Sequence, residues 1–380
     1  MWIFTIIMTL TIVATGFLVG ITPLISRQST PFGLSLPSQY VKDKKVTQYI
    51  KKYAWWTIGM SLLSILPLFV IPFLIRDEQQ LEFFLAIYST VILTFQIIWS
   101  FVLYFNYRRK LMAWKKTLPA EAFSQKRQIV IDTQYHDKLT TIPFATFFWS
   151  QLVIIIIPVI LAVIYFDRIP MQIPINWDIN MEVNRYVTKS WWTVLAMPGL
   201  QILIMPVLQF SYYSFIKSRQ KLSPVSPQVS SEKSRLFREA WSRFNFMIAI
   251  LTQLLISTLF LYSMFVQEGY FNWIITFIIV FLVITIGSSL YLSIRYGQAG
   301  EKLKLAGDGP EASQSYFDNE DDAHWIAGMI YYNPDDAAVF VEKRYGIGST
   351  LNMAHWQAWL AIAGILLFVI LSIVLSLTLG

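Results

Sequence analysis

Residues 144–166 read FATFFWSQLVIIIIPVILAVIYF, an apolar stretch without a single charged side chain. A helix needs about 20 such residues to cross roughly 30 Å of hydrocarbon. Seven further stretches share this length and character: Ile3–Ile25, Ala54–Ile75, Phe83–Tyr104, Trp191–Ile216, Phe246–Val266, Trp273–Ile294 and Trp356–Leu379. Because helices satisfy their own backbone hydrogen bonds inside a bilayer, the sequence predicts an all-α polytopic membrane protein with about eight transmembrane helices.

The rest of the composition agrees with a membrane protein. Hydrophobic residues make up 55% of the chain and charged residues 14%, whereas soluble domains carry about 25% charge. No Lys or Arg precedes Arg27, so the first stretch lacks the basic start of a signal peptide and is interpreted as a retained span. The chain has no cysteine, which excludes disulfides and thiol chemistry.

Basic residues predict the orientation. The loops that follow odd-numbered spans hold 26 of the 30 Lys and Arg. The positive-inside rule places these loops in the cytoplasm and both termini outside. The net charge of +7 also suits a bilayer with anionic headgroups as partner. Nucleic acid is not predicted, because the basic residues are spread over several loops without a recognition motif.

Two loops show strand patterns. In the outer loop, residues 173–179 alternate apolar and polar positions, Asn180-Met181 stands at a turn, and residues 182–187 return. In the last inner loop, residues 325–332 and 337–345 read as strands around a turn at 333–336, with Pro334 at its second position. The sequence therefore predicts small β-hairpins in one outer and one inner loop, and a further short strand at 128–132.

These features divide the chain into four segments. Residues 1–142 hold the first three spans with basic cytoplasmic loops, and residues 143–216 hold spans four and five with the outer hairpin at 167–190. Residues 217–294 hold a cytoplasmic linker and spans six and seven. Residues 295–380 hold the cytoplasmic hairpin segment and the last span.

The spans contain no ionisable side chain, which proton- or ion-coupled transporters usually need. Their amides fit interhelical hydrogen bonding, and a polar path along Gln201, Gln209 and Gln253 is the alternative interpretation. Gly16 and Gly20 form a GxxxG motif that permits close helix approach. The sequence leaves the oligomeric state open.

Catalytic chemistry is not predicted. The three histidines stand apart at positions 136, 324 and 355, and no H-E-x-x-H, Walker or G-x-S-x-G motif accompanies them. His324 follows two aspartates, for which a solvated acidic linker is the preferred interpretation over a cation site. We therefore expect no catalytic residues, no metal and no cofactor.

Three groups of residues carry a resemblance to the SdpI-like bacterial membrane proteins, a group named for an immunity and signalling protein that answers a secreted killing peptide. The outer-loop residues are Ile173, Pro174, Ile175, Asn176, Trp177, Glu182, Asn184, Arg185, Tyr186 and Lys189. The residues near the C-terminus are Trp325, Gly328, Tyr331, Tyr332, Asn333, Pro334, Asp335, Asp336, Val341, Lys343, Arg344, Gly346, Gly348 and Asn352. Pro31-Phe32-Gly33 with Pro37 resembles the first-loop motif. Met181 stands where that group usually has glycine, which predicts a different hairpin tip.

This resemblance implies a multi-pass protein of the bacterial cytoplasmic membrane with a receptor-like or immunity-type response to an extracellular peptide or to envelope stress. An extracellular peptide is expected at the outer residues Asn176, Trp177, Glu182, Asn184, Arg185, Tyr186 and Lys189. A cytoplasmic protein partner is expected at the inner residues Trp325, Tyr332, Asn333, Asp335, Asp336, Lys343 and Arg344. A transporter or exporter of an uncharged or amphipathic substrate, and a non-catalytic scaffold of a membrane complex, are the alternatives.

Overall fold

The structure is a computed structural model that describes residues 2–123, 138–177, 183–220, 222–223, 226–265, 271–306 and 320–379. Eight helical segments of this described part are long and apolar enough to cross a membrane. Their order along the chain is that of the eight predicted stretches, so the predicted membrane architecture is confirmed. The short strand predicted at 128–132, His136 and the outer-loop turn at 180–181 lie outside the described residues.

Within the described residues, ten α-helices form the bundle and its connections. They are α1 Trp2–Ile25, α2 Ser38–Val41, α3 Lys44–Leu63, α4 Leu66–Leu74, α5 Glu78–Lys115, α6 Phe144–Ile164, α7 Trp191–Lys217, α8 Pro227–Phe265, α9 Phe271–Tyr296 and α10 Trp356–Leu379. The second span consists of α3 and α4, which meet at a break just before Pro67, where a missing N–H and a ring clash interrupt a helix.

Two helices are much longer than a bilayer is thick. With 38 and 39 residues, α5 and α8 each extend to about 57–58 Å at 1.5 Å per residue. Only about 30 Å of that lies in hydrocarbon. The C-terminal part of α5 and the N-terminal part of α8 therefore continue beyond the membrane on the side that the basic loops assign to the cytoplasm.

The GxxxG motif of α1 packs against α3 of the same chain. A Cβ placed on Gly16 would overlap the side chain of Ser61, and one placed on Gly20 would lie 2.7 Å from a carbon of Ile58. The Ser61 hydroxyl donates to the carbonyl of Ile12 at 2.9 Å. The two glycines thus let α1 and α3 approach closely.

Strands β1 (Gln172–Trp177) and β2 (Val183–Thr188) pair antiparallel, which confirms the outer hairpin. In the last inner loop, strands are present as predicted, but the predicted pairing between them is wrong. Strand β3 (Trp325–Ile326) pairs with β4 (Ile330–Tyr331), and β5 (Phe340–Glu342) pairs with β6 (Ser349–Leu351).

Backbone conformation explains why the inner strands pair differently from the prediction. Ala327 and Gly328 have φ values of 54° and 75°, so the chain turns back after β3 instead of at 333–336. Gly346 and Gly348, with φ of 87° and 109°, allow the second turn. Glycine reaches these angles without steric cost. The two hairpins meet through a bridge between Tyr331 and Asn352.

The extensions of α5 and α8 beyond the membrane carry a packed unit that we call the inner region, made of residues 26–43, 104–115, 227–242, 297–306 and 320–355. Its apolar core is rich in aromatic residues, and Phe32 lies fully buried at its centre. The Phe32 ring is 5.8 Å from the rings of Tyr53 and Tyr107 and 6.1 Å from that of Tyr104. Met329 and Tyr345 also pack against this cluster, so side chains from the first loop, α3 and α5 form one core with the C-terminal segment.

Candidate functional site

The outer hairpin (residues 172–188) rests on the outer end of the bundle. Ile173 is 1% exposed and belongs to an apolar cluster with Val194 of α7 and Phe260 of α8. The hydroxyl of Ser263 on α8 donates a hydrogen bond to the carbonyl of Pro174. An isolated two-stranded hairpin is marginal in water, so these contacts with the helices fix its position.

The expected ligand residues of the outer hairpin divide into two kinds. Asn176, Asn184, Arg185 and Tyr186 are exposed, and Asn176 and Arg185 are cross-strand partners. Lys189 is half-buried and bonds to the chain before the hairpin. Glu182 lies outside the described residues.

Lys189 and Trp177 hold the hairpin against the bundle. The Lys189 ammonium donates to the carbonyls of Phe166 at 3.3 Å and Ile169 at 2.8 Å. The Trp177 ring, half-buried, lies 6.3 Å from the ring of Tyr262 on α8. The exposed members of the expected set are therefore the two asparagines with Arg185 and Tyr186.

In the inner region, Asp322 collects donors from three parts of the chain. Its carboxylate pairs with the buried guanidinium of Arg344 and with the Lys115 ammonium at 2.9 Å. It also accepts from the backbone N–H of Ser35 at 3.2 Å and from its hydroxyl at 2.8 Å. The Arg344 guanidinium lies 5.1 Å from the ring of Trp325, a cation–π contact. Arg344 and Trp325 thus stabilise the inner region from within.

Glu342 is a second buried carboxylate of the inner region. It pairs with Arg27, which follows α1, and with Arg238 of α8 at 3.4 Å. Arg238 is 2% exposed and also donates to the carbonyls of Ile216 at 2.8 Å and Ser218 at 2.7 Å. Buried charges are stable only when they are paired and hydrogen-bonded. Glu342 therefore ties the first loop, α7, α8 and β5 together.

Asp336 and Asn333 also have internal partners. Asp336 pairs with Arg219 at 2.6 Å and accepts from the Tyr331 hydroxyl at 2.9 Å. The backbone N–H of Asn333 donates to the Asn352 side chain at 3.0 Å, and that side chain donates back to the Asn333 carbonyl at 2.8 Å. These bonds fix the two inner hairpins relative to each other.

Other side chains of the inner region are exposed at its surface. Tyr332 is 49% exposed, and Asp335 is exposed beside it. The cross-strand pair Ile326 and Ile330 is 57% and 48% exposed, an apolar feature that the sequence reading missed. Lys343 is half-buried, and burial lowers the pKa of its ammonium.

The glutamines of spans four, five and six form one buried cluster. Gln151, Gln201 and Gln253 are each fully buried. The Gln201 amide donates to the carbonyl of Gln253 at 2.9 Å and to the Ser257 hydroxyl at 3.0 Å, and the Gln253 amide donates to the Gln151 side chain at 3.3 Å. Gln209 lies outside this set of bonds. The cluster joins α6, α7 and α8 by interhelical hydrogen bonds.

Sequence reasoning missed the acidic partners of the inner region. The acidic-linker interpretation gives Asp322 no partner, and the sequence does not single out Glu342, because no local pattern marks carboxylates whose partners Ser35, Lys115 and Arg27 stand 287, 207 and 315 positions away. Among the described residues, no group of three or more His, Cys, Asp or Glu could hold a metal ion.

Comparisons with known families match two parts of the chain. Residues 153–202, which include the outer hairpin, are similar to a domain of unknown function (DUF1648). Residues 334–359, in the inner region and the start of α10, are similar to a family of unknown function (DUF5808). Both matches are consistent with an uncharacterised multi-pass membrane family, and neither names the SdpI-like group, so that resemblance stays a prediction. No curated protein and no solved structure matches the chain.

Proposed function

We propose that this integral membrane protein is a receptor-like or immunity-type protein of the bacterial cytoplasmic membrane that responds to an extracellular peptide or to envelope stress. One observation carries the proposal. Helix α8 contacts the outer hairpin through Tyr262 and Ser263 and contacts the inner region through Arg238. A single continuous helix therefore connects the two parts of the protein that fold outside the hydrocarbon.

The geometry of α8 suits the transfer of a displacement. Arg238 and Ser263 are 25 positions apart on one helix, which corresponds to about 38 Å at 1.5 Å per residue. Arg238 also holds the carbonyls at the end of α7. A shift or rotation of α8 would change those bonds and the pair with Glu342. A ligand drives such a change only if it binds the two states with different affinity.

The two exposed surfaces define where the input and the output would be. On the outer hairpin, Tyr186 and Arg185 offer an aromatic and a guanidinium group, the side chains most frequent among binding hot spots. On the inner region, Ile326, Ile330 and Tyr332 form an exposed apolar surface, a feature typical of protein contacts. We place the extracellular peptide on the first surface and the cytoplasmic protein partner on the second.

The test combines deletion with complementation. Cells that lack the gene are challenged with secreted antimicrobial peptides and envelope stresses, and survival and transcription of neighbouring genes are measured. We expect wild-type protein to restore both. The outer double variant R185E/Y186A is expected to lose the peptide response, and the inner variant Y332A is expected to lose the transcriptional response while peptide binding remains.

R76E is the matched control, because Arg76 is exposed in another loop on the predicted outer side and belongs to neither surface. It is expected to behave as wild type. If the deletion changes neither sensitivity nor transcription, the receptor and immunity proposal is wrong.

Transport of an uncharged or amphipathic substrate is a second candidate, supported by one observation. The side-chain oxygens of Gln201 and Gln253 and the amide nitrogen of Gln209 are buried without a hydrogen-bond partner among the described residues. Such groups can bind a polar guest. The double variant Q201M/Q253M is expected to keep the peptide response if the cluster only packs helices, and to lose export of the substrate if transport is the function.

A further inference from the structure

Helices α6, α8 and α9 diverge at their outer ends and leave a cleft of about 610 Å³ between them. Its walls are mainly apolar and include Leu161 of α6, Leu261 of α8 and Ile274 of α9. Thr258, also in the wall, is seven positions before the last described residue of α8, Phe265. The cleft therefore extends about 10 Å along the helices from their outer ends.

The cleft lies among helices that cross the membrane, so its occupant reaches it from the bilayer. Leu161, Tyr165 and Trp273 line it and are 37%, 40% and 74% exposed. Its side is therefore open in the protein alone. Tyr and Trp at span ends are typical of the headgroup level. The mouth thus lies at headgroup depth, and the walls lie at the depth of acyl chains.

One positively charged side chain lies at the mouth of the cleft. Arg168 lines the cleft, is exposed, and stacks on the Tyr165 ring at 5.1 Å, which orients its guanidinium group. In the same turn, residues 166–168, the carbonyl of Phe166 accepts a hydrogen bond from the Lys189 ammonium. Asp167 is the acid of that turn, so these three side chains sum to a net positive charge. Arginine binds phosphate through two parallel hydrogen bonds.

We propose that this cleft is a specific phospholipid site, in which an acyl chain lies against Leu161, Thr258, Leu261 and Ile274 and the phosphate meets Arg168. The volume is within the range of about 300–1,000 Å³ that is usual for small-molecule sites. The lipid would also contact Tyr262, which lines the cleft and whose ring lies 6.3 Å from that of Trp177 in the outer hairpin. The site does not depend on the receptor proposal and is tested without it.

The test uses the purified full-length protein after delipidation, titrated with phosphatidylglycerol or with diacylglycerol and measured by native mass spectrometry. Diacylglycerol has the same chains and no phosphate. We expect one phosphatidylglycerol to be retained and diacylglycerol to bind more weakly. R168Q is expected to bind phosphatidylglycerol roughly tenfold more weakly, the loss of about one hydrogen bond to a charged group, and R168K is expected to recover part of the affinity.

A second variant tests the chain site. L161W fills the cleft, and L74W is its control because Leu74 is 75% exposed on another helix; R76Q is the control for R168Q. We expect L161W to weaken binding and both controls to bind as wild type. Equal retention by all variants would indicate lipid of the general bilayer shell and overturn the proposal. Loss in only one of R168Q and L161W, or equal binding of diacylglycerol, would overturn it as well.

Discussion

Asp322 joins three separate parts of the inner region. Its carboxylate joins the C-terminal segment to α5 through Lys115 and to the first loop through Ser35, and it compensates the buried Arg344. Buried charges cost free energy unless they are paired. Removal of this carboxylate would take one acidic partner away from a buried guanidinium.

We therefore expect D322N to destabilise the inner region by about 3 kcal/mol, the lower end of the loss typical when one member of a buried ion pair is removed. Thermal unfolding and limited proteolysis of residues 320–355 in detergent or nanodiscs measure this change. D335N is the matched control. Asp335 is exposed, and surface substitutions usually change stability by less than about 0.5 kcal/mol. Equal stability of the two variants would contradict this role of Asp322.

The same carboxylate predicts a pH dependence. Burial raises the pKa of Asp322, but the charges and hydrogen bonds of Arg344 and Lys115 outweigh burial and hold it below its ordinary value of 3.8. The unfolded chain thus takes up this proton at a higher pH than the folded one. The stabilisation is complete at neutral pH and is lost as pH falls below 3.8 through the folded pKa.

The measurement is protease resistance of the inner region as pH is lowered. Wild type is expected to lose resistance more steeply than D322N, which has no carboxylate to protonate. The pKa of Glu301 shifts in the opposite direction, because burial raises it and the charge of Arg27 offsets only part of that rise. Glu301 is present in both proteins, so the difference between the two curves isolates Asp322. Parallel curves would contradict the prediction.

At the scale of elements, two glycines decide how closely the first loop approaches the β3–β4 hairpin. Gly33 and Gly328 have φ of 68° and 75°, where other residues are strained. A Cβ on Gly33 would lie 2.5 Å from the carbonyl oxygen of Gly328, and a Cβ on Gly328 would overlap the Arg108 guanidinium. The two turns are thus in direct backbone contact.

G33A and G328A are each expected to lower the stability of the inner region by about 1–3 kcal/mol, the usual cost of a strained backbone conformation. The change is measured as the protease concentration that cleaves half of the protein. G287A is the control, since a Cβ on Gly287 meets no atom within 4 Å and alanine favours a helix. If G33A resists protease as well as G287A does, the proposed contact is wrong.

The helices and strands differ in how well the sequence alone predicts them. The spans follow from apolar length alone, and the outer hairpin follows from alternation around Ile173 and Ile175. The inner pairing failed because Pro334 and Asp335 give a stronger local turn signal than Ala327 and Gly328, whose positive φ arises from packing against the first loop. The ion-paired carboxylates and the cleft between α6, α8 and α9 form between distant segments, and no local pattern encodes them.

For the whole molecule, the orientation in the membrane is open to a direct test, because the chain has no native cysteine. Single cysteines replace Tyr186, 53% exposed on the outer hairpin, and Tyr332, 49% exposed on the inner region. A membrane-impermeant maleimide added to intact cells is expected to label Y186C and to label Y332C only after permeabilisation. Labelling of Y332C in intact cells would reverse the orientation and remove the basis for the receptor proposal.

The ion pairs of the inner region also set an order of events during translation. Arg27 and its partner Glu342 are 315 positions apart, which at roughly 5–20 residues per second is about 15–60 s of synthesis. Throughout that interval the nascent protein has its early spans in the bilayer while the first loop still lacks the strands that complete its core. Prematurely terminated chains are therefore expected to be degraded by membrane quality-control proteases rather than to persist as working fragments.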